Sequence, residues 1–131
     1  MKRHPFRSLQ HWLPAILWAA TIFFLSAQSK LPEVAPGISN FDKVEHLGAY
    51  GLLGLLVADA LRRGSALTLP KTALLAILIT LAYGASDEFH QRFVPNRTCD
   101  VWDWTADTVG GALAVAVYAA YESRRSQKTN R

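Results

Sequence analysis

One short segment of the chain places three residues that can handle a proton at regular intervals. Asp42, His46 and Tyr50 follow one another every four positions. On a helix this spacing puts all three side chains on one face. A free histidine titrates at about pH 6.5, so His46 can serve as a general acid or base near neutral pH. Asp42, one turn earlier, can orient the imidazole, and we predict both residues as catalytic candidates.

A second group of polar residues stands at the end of a later apolar run. Asp87 and Glu88 are adjacent, and both reach Gln91 at helical spacing. Two close carboxylates ionise at different pH values, which suits acid–base chemistry, so both are further catalytic candidates. Pro95 ends this helix. Arg97 follows as a fixed cation that can clamp a phosphate or a carboxylate.

A third stripe leads into the last apolar run. Asp100, Asp103 and Asp107 follow the spacing i, i+3 and i+7, which again selects one helical face. Gly110 and Gly111 extend this stripe, and small residues at such positions let two helices approach closely. Asp103 and Asp107 are therefore predicted to meet the polar side chains of the other helices.

The elements that position these stripes are four apolar runs. Each apolar core has only 13 to 15 residues, whereas a helix that crosses a membrane needs about 20. The helices must therefore continue into their polar flanks. The sequence predicts an all-α polytopic membrane protein, a four-transmembrane-helix bundle forming a single domain over residues 1–131. The predicted spans cover residues 9–27, 43–61, 71–91 and 102–121.

The distribution of charge indicates a membrane orientation rather than a nucleic-acid partner. The net charge is +4, but the basic residues cluster at the ends of the apolar runs. Ten of them lie in the two tails and the second loop, against four in the other two loops. Under the positive-inside rule this bias places both termini in the cytoplasm. A cleaved signal peptide at the N-terminus is the alternative.

Polar stripes at three helix ends on the same side of a bundle must largely face one another. An ionised group turned toward lipid costs about 2.5 to 3.5 kcal/mol on insertion scales. We therefore expect a shared polar pocket at the outer leaflet, formed by His46, Asp87, Glu88, Arg97, Asp103 and Asp107. Acids that only cap helix ends are expected to be Glu33, Glu45 and Asp100. Basic residues that reach the lipid headgroups are expected to be Lys43 and Arg92.

Two stretches of the sequence resemble the VanZ-like family of small bacterial membrane proteins. They are FDKVEHLGAYGLLGLL and SDEFHQRFVPNRTCDVWDWTADTVGGALA, and together they span Phe41 to about Ala114. The resemblance marks as site residues Asp42, Lys43, His46, Tyr50, Asp87, Glu88, Gln91, Phe93, Pro95, Arg97, Asp103 and Gly110. It departs at Asp107, where the family usually has Asn. It implies a cell-envelope protein of the bacterial cytoplasmic (inner) membrane, in a family linked to teicoplanin resistance, and it implies no particular reaction.

The sequence is compatible with two classes of function. In the first, the pocket binds or processes a lipid-linked or cell-wall molecule, with ligand-binding residues Lys43, Tyr50, Gln91, Arg97, Asp103 and Asp107. In the second, the polar network only locks helix packing in a non-enzymatic membrane scaffold or partner-binding module. Membrane lipids are expected partners in both.

A divalent metal is a variant of the first class, because hard oxygen and imidazole donors suit Mg, Mn or Zn. The residues that would hold such a metal are Asp87, Glu88, Asp103 and His46. They come from three helices without a compact ligand motif, so the sequence does not show that they converge.

Overall fold

The computed structural model describes residues 5–30 and 40–129 of the chain. Within these residues it is all-helical, as predicted. The helices are α1 (Pro5–Ser26), α2 (Phe41–Gly64), α3 (Leu69–Gln91) and α4 (Val101–Thr129). Each helix covers one of the four predicted segments, and α4 continues further toward the C-terminus than expected. Glu33, predicted to cap a helix, lies outside the described residues.

The turns between helices use residues suited to abrupt changes of direction. Asn40 precedes α2 with a φ of 60°, and Asn96 lies in the α3–α4 turn with a φ of 63°. Asparagine tolerates this left-handed conformation better than most residues. Pro70 occupies the first turn of α3, where its missing N–H costs no helical hydrogen bond. The end of α1, the start of α2, the end of α3 and the start of α4 lie at one end of the bundle, here called the polar end.

Three helices in the described part of the chain are long and apolar enough to cross a membrane. The apolar stretches are Leu9–Ser26, Phe41–Gly64 and Leu69–Gln91. Helix α4 is long enough at 29 residues, but Asp103 and Asp107 make its first half too polar to be counted with them. The fourth span and the cytoplasmic placement of the termini therefore remain predictions.

Large apolar side chains face outward, and several polar ones face inward. Leu17, Phe24, Leu113 and Val117 are each more than half exposed. A soluble protein rarely exposes so much contiguous apolar surface. The largest fully buried side chains are Tyr50, Val115, Thr72, Thr80 and Asp107. This distribution suits a bundle surrounded by lipid, where burial favours groups that must avoid hydrocarbon.

Helices α2 and α4 approach most closely, through glycine. A Cβ on Gly54 would come within 3.0 Å of the Gly111 carbonyl oxygen. A Cβ on Gly110 would come within 2.9 Å of the Leu47 backbone. The prediction that the Gly110–Gly111 stripe permits close helix contact is therefore confirmed. This contact sets the spacing at which side chains from α2 and α4 meet at the polar end.

Candidate functional site

The centre of the polar end is a group of three side chains from three helices, here called the triad: His46 of α2, Glu88 of α3 and Asp107 of α4. Their donor atoms, one from each residue, all lie within 4.8 Å of one another. His46 Nδ1 lies 2.8 Å from Asp107 Oδ1, which is hydrogen-bonding distance. Asp107 is fully buried and Glu88 is 4% exposed, whereas His46 is half-buried. The predicted convergence of three helix ends is therefore present in the structure.

Both ring nitrogens of His46 face carboxylates of α4. Nδ1 pairs with Asp107, and Nε2 lies 3.8 Å from Asp103 Oδ2. Asp103 and Asp107 are one helical turn apart, so a single face of α4 flanks the imidazole on both sides. A carboxylate on one ring nitrogen fixes the orientation of the ring and strengthens the other nitrogen as a base. This is the arrangement expected of a general acid or base.

Asp107, rather than Asp42, orients the imidazole. The Asp42 side chain is 56% exposed and pairs with Lys43 at 2.9 Å. Asp42 lies one helical turn before His46 on α2, but it is Asp107 that the close contact of α2 and α4 brings to the ring. The sequence could not distinguish them, because the neighbour of α2 was unknown.

Tyr50 and Asp87 form a second buried pair beneath the triad. The Tyr50 hydroxyl donates to Asp87 Oδ2 at 3.1 Å, and Gln91 Nε2 lies 3.5 Å from the same oxygen. All three residues are almost fully buried. The His46 and Tyr50 rings are nearly parallel, with centroids 6.4 Å apart. The stripe predicted on α2 thus leads from the triad to Asp87.

Glu88 connects the triad to a groove between α3 and α4. Its Oε2 accepts a hydrogen bond from the Asp100 backbone N–H at 3.0 Å. The groove has a volume of about 410 Å³, and its lining includes Glu88, Arg92 and Trp104. The groove therefore joins a buried carboxylate to a surface cation and an aromatic wall.

Lys43 was expected to reach the lipid headgroups, but its ammonium group lies among carboxylates. Nζ lies 2.9 Å from both Asp42 and Asp100, and it also contacts Asp103. The Lys43 ammonium, with a hydrogen bond from the Trp102 backbone, holds the pKa of the Asp100 carboxyl below its usual range. The reason for this inward placement is electrostatic, since clustered carboxylates need a counter-charge when water is scarce.

Arg97 was expected in the shared pocket, but the structure places it at the end of α1. Its Nε donates to the Gln28 carbonyl at 3.0 Å, and a terminal nitrogen donates to the Leu25 carbonyl at 3.3 Å. Carbonyls at a helix C-terminus lack helical partners and carry a partial negative charge, so a guanidinium stabilises them. Arg97 therefore ties the α3–α4 turn to α1.

A model of the VanZ/LLP1 family matches residues 4–122 of the chain. The chain belongs to the VanZ/LLP1 family. The matched region contains the triad, the Tyr50–Asp87 pair and the Lys43 contacts. Neither the curated proteins nor the solved structures contain a significant match.

Replacing Arg97 with alanine in this VanZ/LLP1 chain is expected to lower the free energy of unfolding by about 1 to 2 kcal/mol. The loss reflects two charged hydrogen bonds to carbonyl groups that are partly accessible to water. It can be measured by denaturant titration in mixed micelles, followed by circular dichroism. The control is Arg124→Ala, an exposed position on α4. Equal stability of the two variants would contradict a role for Arg97 in holding α1.

Three buried carboxylates of the VanZ/LLP1 chain each keep one oxygen without a hydrogen-bond partner among the described residues. These atoms are Asp87 Oδ1, Glu88 Oε1 and Asp107 Oδ2. The predicted metal ligands were Asp87, Glu88, Asp103 and His46, but Asp87 hydrogen-bonds to Tyr50 and Asp103 pairs with Lys43. The group close enough to share an ion is His46, Glu88 and Asp107. Asp107 could have been included among the predicted metal ligands, because it lies on the same helical face as Asp103.

Proposed function

We propose that this VanZ/LLP1 protein binds and processes a lipid-linked or cell-wall molecule at the outer leaflet of the bacterial cytoplasmic membrane. The observation that carries the proposal is the hydrogen bond of 2.8 Å between His46 Nδ1 and Asp107 Oδ1, with Glu88 beside it. A histidine held by a buried carboxylate next to a second acid is a group suited to proton transfer. The placement at the outer leaflet rests on the positive-inside bias of the sequence.

In this proposal His46 is the residue that exchanges a proton with the bound molecule. Asp107 holds Nδ1, which leaves Nε2 to accept a proton from a hydroxyl group or a water molecule. Glu88 supplies a second acid or base at the same place. Two proton-transfer groups on different helices can act on the attacking and leaving atoms of one bond.

The groove between α3 and α4 supports a ligand that has both an apolar and an anionic part. Trp104 and Phe89 offer apolar contact along the groove, and Arg92 lies on its lining. The Arg92 guanidinium also lies 5.6 Å from the centre of the Phe89 ring. Arg92 takes the role first assigned to Arg97, since a guanidinium binds phosphate or carboxylate in a forked geometry. A lipid-linked molecule would then place its head near Glu88 and its chain against the lipid.

The test is a pair of conservative substitutions with a matched control. His46→Gln and Glu88→Gln keep side-chain size and much of the hydrogen bonding, but neither variant can transfer a proton at that position. Both are expected to abolish the envelope phenotype, read as teicoplanin susceptibility and envelope lipid composition, at normal membrane abundance. Glu45→Gln, an exposed acid adjacent to His46, is expected to keep the phenotype. Full activity in His46→Gln and Glu88→Gln would refute the proposal.

The second candidate function is a non-enzymatic scaffold, and the Tyr50–Asp87–Gln91 network favours it. These residues are buried and join α2 to α3 without reaching the grooves. Buried polar networks can specify a helix arrangement without chemistry. Under this function, the conservative variants of His46 and Glu88 would keep the phenotype, whereas Tyr50→Phe would lower stability and abundance.

A further inference from the structure

We propose that the triad of His46, Glu88 and Asp107 is a binding site for one divalent transition-metal cation, of the Mn²⁺ or Zn²⁺ class. The inference rests on the proposed function in that both concern the same site, and in the cation-bound form His46 would be a ligand instead of the proton-transfer group. One imidazole nitrogen and two carboxylate oxygens lie within 4.8 Å of one another. A mixed imidazole and carboxylate set favours Mn²⁺ or Zn²⁺ over Ca²⁺ and Mg²⁺, which prefer oxygen donors alone.

Two buried oxygens without hydrogen-bond partners are a second observation, besides the clustering of acids, that indicates a bound ligand. Glu88 is 4% exposed and Asp107 is fully buried, yet Glu88 Oε1 and Asp107 Oδ2 have no hydrogen-bond partner among the described residues. Asp107 Oδ2 lies beside Gly84, which has no side chain to cover it. Buried polar atoms in native proteins are almost always satisfied by protein, water or an ion. A hydrated cation held by Asp107 and Glu88 can satisfy these oxygens directly or through its bound water.

The balance of charge around the triad also favours a cation. Lys43 is already shared among Asp42, Asp100 and Asp103. Within the described residues, His46 is the one side chain that pairs with Asp107, and Glu88 has no ion pair. Two buried carboxylates next to one imidazole therefore keep an excess of negative charge in a region poor in water, where uncompensated charge is expensive. A dication neutralises both.

The spacing of His46 and Asp107 fits neighbouring ligands of one ion. Their donor atoms are 2.8 Å apart, close to the roughly 3 Å that separates adjacent ligands in an octahedral shell with bonds of about 2.1 Å. A cation bound there takes the lone pair of Nδ1 and the carboxylate oxygen. The proton that joins these two atoms must then leave Nδ1. It moves to Nε2 if the imidazole is neutral, and it is released to the solvent if Nε2 already carries a proton.

The experiment is calorimetric titration of the full chain with MnCl₂. The protein is stripped with chelator and placed in phosphatidylcholine nanodiscs, and the titration is run in two buffers of different ionisation enthalpy. We expect one saturable site, with protons released in proportion to the fraction of His46 that is protonated before binding. Glu88→Gln and Asp107→Asn are each expected to weaken binding at least about tenfold, because each removes a charged ligand. Glu45→Gln is expected to leave affinity unchanged, and circular dichroism checks that every variant is folded.

Two results would overturn the cation site. One is the absence of saturable one-to-one binding in the wild-type chain. The other is a loss of affinity in Glu45→Gln as large as that in Glu88→Gln, which would mean diffuse attraction to an acidic surface.

The cation site and the proposed function can fail separately. A wild-type chain that binds no Mn²⁺, with a phenotype that still depends on Glu88, removes the cation and keeps the function. A chain that binds Mn²⁺ through the triad, with a phenotype that persists in Glu88→Gln, keeps the cation and removes the function.

Discussion

Gly110→Ala is expected to destabilise the protein by about 3 kcal/mol or more, which is high for a single added methyl group. The new Cβ would lie 2.9 Å from the Leu47 Cα and carbonyl carbon, and closer still to the carbonyl oxygen. These are backbone atoms of a helix and cannot rotate away. Helices α2 and α4 would have to separate, and the contacts along their whole interface would weaken. Because His46 and Asp107 meet across that interface, their hydrogen bond should lengthen as well.

Gly48→Ala provides the matched control for this substitution. Gly48 lies on α2, two residues before Tyr50, and a Cβ there would meet nothing within 4 Å. Alanine is about 1 kcal/mol more favourable than glycine inside a helix, so this variant should be unchanged or slightly more stable. Unfolding in mixed micelles, followed by circular dichroism, measures both. If Gly110→Ala unfolds at the same denaturant concentration as Gly48→Ala, the close approach of α2 and α4 is wrong.

Lys43→Met is expected to cost about 2 kcal/mol of stability, because it leaves the nearly buried Asp103 without its counter-charge. Removing one partner of a fully buried ion pair costs about 3 to 5 kcal/mol, and the partial exposure of Lys43 reduces this value. Adding Asp103→Asn to the Lys43→Met chain should restore part of the loss, since the uncompensated charge is then gone. Lys71→Met, at an exposed position on α3, is the control. Equal stability of the two methionine variants would contradict the ion-pair network.

The same substitution should change how stability depends on pH. Lys43 lowers the pKa of the Asp100 carboxyl, so in the folded protein this acid stays ionised at a lower pH than in the unfolded chain. Its contribution to stability is therefore present above its ordinary pKa and is lost as the pH falls through the lowered one. In Lys43→Met the part of this contribution that comes from Lys43 is absent at every pH. The difference in stability between wild type and variant should thus shrink as the pH is lowered into the acid range.

The helices could be predicted because their signals are local. Apolar runs, prolines and charged flanks predicted four helical segments, and the structure has a helix over each of them. The polar stripes were also predictable, because helical spacing decides which side chains share a face. Helix α4 was predicted to span the membrane, but it is not among the three helices that are apolar enough to do so. Asp103 and Asp107 lie in the candidate site, and their charge lowers the hydropathy by which a membrane span is recognised.

The side-chain contacts within the site could not be predicted. They depend on which helices are neighbours and on how far each helix is shifted along its axis relative to the next. Asp42 was predicted to orient His46 and Asp107 to bind a ligand, and only the α2–α4 contact shows that Asp107 lies at the imidazole. Arg97 was assigned to a ligand because it is a fixed cation, and its carbonyl partners, Leu25 on α1 and Gln28 just after it, lie 72 and 69 positions earlier in the chain. Every residue has a backbone carbonyl, so the sequence does not show which carbonyls a cation will contact. An arginine that binds such carbonyls therefore looks, in the sequence, like an arginine without a partner.

Two grooves lie on either side of α4, and they bear on how the proposed ligand would reach the site. One, of about 410 Å³, includes Glu88 in its lining, and the other, of about 560 Å³ between α2 and α4, includes Lys43 and Trp102. Both open laterally between helices and carry apolar as well as charged residues. Under the proposed function, a molecule with acyl chains could reach Glu88 along the first groove while its chains stay among the surrounding lipids. Occupancy of the site would then follow the mole fraction of that molecule in the membrane, and the encounter rate would be set by lateral diffusion in two dimensions.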